Sequence, residues 1–286
     1  MIERQPNTEY ILSLSYGKDS IACLFAIEHL GWPLDRIVHA EVWATDTILA
    51  DLPPMVEFKA KADAIIKGRW GIEVEHFRAK HTFEELFYHV KKDGRGPSDY
   101  RGFPMIRGAW CNSDLKRPAL RMACGKNAVQ YVGIALDEPE RLARLEKHKK
   151  LSPLEAIGWV ESDCRKIVEP YGLLSPTYTT ATRGGCWFCH NQGVDQLRLL
   201  RKTYPEYWAL MLKWDSDSPV TFKADGHTVH DYDARFAAED AGAVPSDRNF
   251  RWEMIGRKIT KHRVELPGQI CFDDLLQLDT PGAVKP

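Results

Sequence analysis

Nine residues near the start of the chain, Leu12-Ser13-Leu14-Ser15-Tyr16-Gly17-Lys18-Asp19-Ser20, restrict its fold more than any other stretch. An apolar, β-prone run over residues 10–14 enters a short polar turn. The turn enters a segment with Ile21, Leu24, Phe25 and Ile27 at helical spacing. That order predicts a strand, an anion-binding loop and a helix. Gly17 lets the backbone approach an anion closely. Ser15 and Ser20 offer hydroxyls, Lys18 a cation, and the helix start free N–H groups at the positive end of its dipole. Asp19 in the first turn complements that dipole. A Walker A loop needs four residues between its glycines, a spacing this stretch lacks. A Ser- and Gly-containing connection without a ligand is the plain alternative.

The next elements repeat the rhythm. Residues 19–30 predict the first helix, closed by Gly31-Trp32-Pro33. Residues 36–42 predict a second strand, 55–67 a helix opened by Pro53-Pro54, and 72–77 a third strand. The fold class that follows is α/β, a doubly wound, mostly parallel sheet with a mostly helical C-terminal part. Ligands in such folds sit at the carboxyl ends of strands. That places Ser15–Ser20 and Asp46, which follows the second strand, on one edge. Asp46 is thus a candidate for Mg²⁺ or nucleotide contact.

Ser15-Tyr16-Gly17-Lys18-Asp19-Ser20 resembles the PP-loop of the adenine nucleotide alpha-hydrolase superfamily, many of whose members carry Ser-Gly-Gly-x-Asp-Ser. Tyr16 replaces the first Gly, and an aromatic there is similar to the phosphoadenosine phosphosulfate (PAPS) reductase branch. Further matches follow in order. Trp110-Cys111-Asn112-Ser113-Asp114-Leu115-Lys116-Arg117 resembles the family's cysteine-plus-basic segment, although cluster-bearing members often show two adjacent cysteines where this chain has Trp110-Cys111. Gly133-Ile134-Ala135-Leu136-Asp137-Glu138-Pro139-Glu140-Arg141 resembles the stretch after the family's fourth strand. The resemblance spans roughly residues 9–215. It implies that Ser15, Tyr16, Gly17, Lys18, Asp19 and Ser20 hold the phosphates of ATP (or PAPS), with Lys18 and Asp19 acting at the reacting end. Lys116 and Arg141 are implied as electrostatic stabilisers. The plain alternative for Arg141 is a helix start with acids in its first turn.

A second centre is Arg183-Gly184-Gly185-Cys186-Trp187-Phe188-Cys189-His190. Two cysteines separated by two residues in a Gly-led turn suit a metal knuckle or a redox pair. A pair of buried structural cysteines is the alternative. Cys111, Cys164, Cys186 and Cys189 are the candidate ligands, and four thiolates fit a [4Fe–4S] cluster or tetrahedral zinc equally on spacing. His190 is a substitute ligand for zinc. The resemblance implies the iron–sulfur cluster. Cys23 and Cys124 fall within predicted helices, and Cys271 lies in the tail.

Domain expectations divide the chain into residues 1–150, the nucleotide-binding part, and residues 151–286, the helical part with the Cys-x-x-Cys turn. Within the second part, residues 154–171 and 194–214 each predict one helix, with shorter ones near 233–240 and 250–259. With 44% hydrophobic and 28% charged residues and a net charge of −1, the composition is that of an ordinary globular protein without a global basic field. No apolar run approaches the ~20 residues of a membrane span, and the first residues are not a signal peptide. A cytoplasmic protein is expected. Seven cysteines in that compartment point to metal or catalysis rather than disulfides.

The resemblance implies an ATP pyrophosphatase that adenylylates an acceptor and releases pyrophosphate. Related branches insert sulfur into a nucleic-acid base, which makes tRNA or DNA a candidate partner. Sulfonucleotide reduction is the rival. Reductases carry a Glu-Cys-Gly-x-His tail motif, and this tail has Gly268-Gln269-Ile270-Cys271-Phe272 instead. A nucleotide- and cluster-binding sensor or assembly subunit is the non-enzymatic alternative. The loop from Asp93 to Gly108, with Arg95, Arg101, Arg107, Tyr100 and Phe103, is either a solvated surface or a substrate clamp.

Overall fold

The structure is a computed structural model that describes residues 2–90, 100–104, 109–125, 127–145, 150–180 and 184–257. Cys271, Arg95, Arg107 and Arg183 lie outside the described residues.

Five parallel strands form one sheet in the order β3-β2-β1-β4-β5. They are β1 (Glu9–Ser13), β2 (Arg36–Glu41), β3 (Val74–Arg78), β4 (Ala128–Tyr131) and β5 (Lys150–Leu151). The chain moves outward on one side through β2 and β3, then returns to the other side of β1. The order therefore reverses between β1 and β4, where such sheets open a crevice for ligands at their carboxyl ends.

Burial on β1 alternates between the two faces, as the pleat requires. Tyr10 and Leu12 join a core with α1 (Lys18–Leu30), α2 (Pro53–Trp70), α6 (Pro153–Ile157) and α7 (Glu161–Val168). Ile11 and Val38 point the other way, onto Leu120 and Ala123 of α4 (Arg117–Ala123). Helices therefore cover both faces, and the doubly wound α/β class holds.

A second core sits beyond the carboxyl ends of β2 and β3. Val42, Ala44 and Ala50 from the segment after β2 meet Phe83 and Phe87 of α3 (Phe83–Phe87). Trp187, Phe188 and the helices α9 (Val194–Thr203), α10 (Pro205–Asp217) and α11 (Val229–Asp240) complete it. The expected division at residue 150 does not coincide with the division between these cores. β5, α6 and α7 belong with the first, while the second draws on both halves of the chain.

Two expected helices are each two. Gly158 at φ 80° ends α6 and turns the chain into α7. Pro205, lacking an N–H, starts α10 after α9 has ended at Thr203. Lys150 and Leu151 form the edge strand β5. Two four-residue helices, α5 (Pro139–Leu142) and α8 (Thr177–Thr180), lie between the larger elements. No helix among the described residues is long and apolar enough to cross a membrane.

Candidate functional site: a phosphate loop beside a cysteine group

The loop after β1 is a small hydrogen-bonded unit. The Ser15 N–H and its hydroxyl both donate to Ser20 Oγ, at 3.1 and 3.0 Å, and Ser20 Oγ–H donates to the Gly17 carbonyl at 3.0 Å. Gly17 precedes α1 with extended backbone and offers no side chain to the helix start. The first-turn N–H groups therefore face the crevice with little side-chain competition. Lys18 N–H donates to the Tyr178 hydroxyl at 3.2 Å.

Tyr16 takes the left-handed conformation, φ 58°. That backbone favours glycine, and a side chain here costs about 1–2 kcal/mol. The ring offsets the cost by being fully buried. It stands edge-on to His39 at 4.8 Å between centroids, and its hydroxyl donates to Asp63 and lies 3.1 Å from His76 Nε2. Burial first, then the bond to Asp63, raises the phenol's pKa and keeps it protonated as the donor.

The loop is also pinned from β4. A Cβ on Gly133 would fall 2.5 Å from Ser20 N, 2.6 Å from Ser20 Cα and 2.7 Å from the Asp19 carbonyl carbon. Only glycine allows this approach across the switch point. The stretch after β4 thus shapes the phosphate loop through Gly133 rather than through Arg141. Arg141 is exposed on α5 and pairs with Glu138.

Lys18 Nζ lies 2.7 Å from Glu161 Oε2 and 2.9 Å from Asp19 Oδ1. Burial opposes its charge, but the bonds to Glu161 and Asp19 outweigh burial and raise its pKa. Asp19 is raised by burial, with Lys18 acting in the opposite direction. Asp46, expected at this edge, sits on a turn closed by the Trp43–Leu49 bridge, with its carboxylate exposed and 3.4 Å from Arg78. Asp51 is the carboxylate that turns inward, where it pairs with Lys59.

The cysteines separate into two places. Cys111 precedes a π-helical turn, Asn112–Lys116, that runs directly into α4. Its thiol is within electrostatic reach of Cys189 and Lys116, and Cys186 within reach of Lys116, Cys189, Asp51 and Cys111. Burial pushes the Cys186 thiol up to about 12, against the pull of Lys116. Lys116, an exposed residue, is within electrostatic reach of these sulfurs. The charge of Cys186, ahead of Cys111 and Cys189, raises its pKa. Lys116 is therefore a partner of the cysteine group, where the sequence had placed it against phosphate.

The Cys186–Cys189 turn is held by its own bonds and by the segment between β2 and α2. Cys189 N–H donates to the Cys186 carbonyl at 3.0 Å, and Trp187 donates from its backbone to Ala50 O at 2.9 Å and from its indole to Leu49 O at 2.8 Å. Trp110, next to Cys111, stacks on Phe83 at 5.1 Å.

Cys164 is elsewhere. It lies fully buried in the first core on α7, bonded to Asp19 and facing Cys23, and α7 packs against α1. It does not join the other three because α7 covers the opposite end of the site. Among the described residues, no three His, Cys, Asp or Glu side chains are grouped to hold a single metal ion.

Sequence reasoning missed His39, Asp51, Lys59, Asp63, His76, Glu161 and Tyr178. One signal was available for some of them. His39 on β2 pairs in register with His76 on β3, and Lys59 and Asp63 lie one turn apart on α2.

No family model matches the chain, and no curated protein matches its sequence. Among solved structures, the chain is similar to one described as "U34-tRNA thiolase NcsA from Methanococcus maripaludis with its [4Fe-4S] cluster". Identity is 14% over 73% of this chain and 71% of that one, with a TM-score of 0.35.

Proposed function

We propose that the chain binds ATP at Ser15–Ser20 and activates an acceptor oxygen by adenylylation, releasing pyrophosphate, in the service of sulfur transfer to a nucleic-acid base. One observation carries the nucleotide reading. A left-handed residue, an uncapped helix start and a glycine-dependent backbone approach converge at the point where strand order reverses. In this reading the acceptor oxygen bonds to the α-phosphorus as the bond to pyrophosphate breaks. A nucleophile then displaces AMP. The N–H groups of α1 and Lys18 stabilise charge growing on the departing pyrophosphate, and Gly17 leaves room for it. Mg²⁺ would accompany the polyphosphate, with Asp19 the carboxylate nearest to it in sequence and place.

Cys111, Cys186 and Cys189 are the residues that would hold an iron–sulfur cluster. Cys111, Cys186 and Cys189 lie within electrostatic reach of one another and of Lys116, as the donors of one thiolate-held group would. A cluster held by three thiolates supplies one iron without a protein sulfur, suited to carrying a sulfur species. Sulfonucleotide reduction would instead centre on Cys271, outside the described residues. Titration calorimetry with ATP and with PAPS tests the reading. ATP is expected to bind wild type, and Lys18→Ala to weaken binding about 10- to 100-fold, the loss of one charge-assisted bond. Equal affinity in wild type and Lys18→Ala would refute the loop assignment.

A further inference from the structure

A chain of polar contacts runs from the loop after β1 through His39 and Lys59 to Asp51, whose neighbours Leu49 and Ala50 hold Trp187 in the Cys186–Cys189 turn. His39 is buried, and its Nδ1 lies 2.8 Å from the Leu14 carbonyl at the entrance of the loop. A carbonyl oxygen only accepts, so Nδ1 carries the proton. The other ring nitrogen, Nε2, then holds a lone pair, and Lys59 Nζ donates to it at 2.9 Å. Burial, followed by the charge of Lys59, pushes His39 down to about 3, so the ring is neutral as this arrangement requires. The same ammonium donates to Asp51 and stands 5.2 Å from the Tyr16 ring centroid. Asp51 in turn acts electrostatically on Lys116 and Cys186. Its neighbours Leu49 and Ala50 accept the two hydrogen bonds of Trp187, between the paired cysteines.

We propose that Lys59 is a positioning residue that couples occupancy of the phosphate loop to the geometry of the cysteine group. A surface lysine paired with one carboxylate would be replaceable. Lys59 is 8% exposed and touches the loop at two points, through His39 to the Leu14 carbonyl and directly at the Tyr16 ring. An anion seated on the loop that shifts Leu14–Tyr16 moves both contacts. Asp51, held by the same ammonium, must follow or lose its partner. The coupling is reciprocal, so a change at the cysteine end must alter nucleotide affinity by the same factor. The inference rests on the nucleotide reading of the loop.

A double-mutant cycle on the dissociation constant of α,β-methylene-ATP, measured with the full-length chain, tests it. Lys116→Met perturbs the cysteine end. It is expected to change the dissociation constant about 3- to 30-fold in the wild-type background and to leave it unchanged in the Lys59→Met background. Lys59→Arg, which keeps the charge, is expected to restore part of the Lys116 effect. Asp51→Asn breaks the same link from the far side and should abolish the effect too, which keeps the test decisive should Lys59→Met fail to fold. An undiminished Lys116 effect in Lys59→Met or Asp51→Asn, or no Lys116 effect in wild type, overturns the coupling while the nucleotide reading stands. Wild type that binds no α,β-methylene-ATP overturns both.

Discussion

Replacing Tyr16 by glycine separates two views of the phosphate loop. Seen from the backbone alone, glycine suits φ 58° and should stabilise the loop by about 1–2 kcal/mol. Seen from the packing, the substitution empties a fully buried site, and loss of a buried aromatic side chain costs about 3–5 kcal/mol. It also removes the hydroxyl that donates to Asp63, a bond to a charged group worth about 1.5–3 kcal/mol. Packing wins, and Tyr16→Gly is expected to be destabilised by about 4 kcal/mol. Tyr16→Phe keeps the ring and loses only the hydroxyl. Asp63 is partly exposed and can turn to water, so the cost is expected near 1.5 kcal/mol, at the low end for such a bond. Urea unfolding followed by far-ultraviolet circular dichroism measures both, read as a shift of midpoint at constant slope. A Tyr16→Gly protein as stable as wild type, or more so, would refute the claim that the ring anchors the loop.

Other consequences follow from the same geometry. Gly133→Ala forces a methyl group into the Ser20 backbone and is expected to cost about 2–3 kcal/mol and to weaken ATP binding, read by thermal melts and calorimetry. His76 is pushed up to about 9, by Asp63 first and then Glu41. Its contribution is therefore complete below its unfolded value of about 6.5 and is lost as pH rises through 9. The imidazole is partly exposed, so solvent screening reduces the loss to about 1–2 kcal/mol, and urea melts of His76→Gln should show a flatter profile over that window. Anaerobically purified wild type is expected to carry about four irons per chain. Cys111→Ser, Cys186→Ser and Cys189→Ser should each lose most of that iron, while Cys164→Ser keeps it. Iron lost equally from Cys164→Ser would contradict the placement of that residue in the first core.

The strand, loop and helix at the N-terminus were legible because each step is local. An apolar run, a glycine and an apolar, buried helix sit within about twenty residues of one another, and Gly31 and Gly71 close α1 and α2 in the left-handed conformation that glycine favours. The parallel sheet needed only the rhythm of alternating elements, whereas the order β3-β2-β1-β4-β5 depends on which side of β1 each crossover returns to. Side-chain destinations set by contacts between distant elements were not legible. Asp46 and Asp51 both follow β2, and which one turns inward depends on Trp187 hydrogen-bonding to Leu49 and Ala50 from far along the chain. Cys164 was grouped with the other cysteines by residue type, whereas the packing of α7 on α1 takes it to Asp19. Lys116 follows Cys111 by just over one helical turn, and that spacing brings it within electrostatic reach of the sulfurs. The break at Gly158 was readable from the glycine itself, but the continuous apolar pattern on either side masked it.

The central claim is that Ser15–Ser20 holds a nucleotide whose α–β phosphate bond is cleaved. The most direct measurement is product analysis of α-³²P-ATP incubated with anaerobic protein, with and without tRNA, DNA or PAPS. Labelled AMP and equimolar pyrophosphate, formed by wild type and lost in Lys18→Ala, is the predicted result, with stimulation by one nucleic acid identifying the acceptor class. Labelled ADP, or untouched ATP with sulfite formed from PAPS, would contradict it and move the chemistry away from the phosphate loop's proposed reaction.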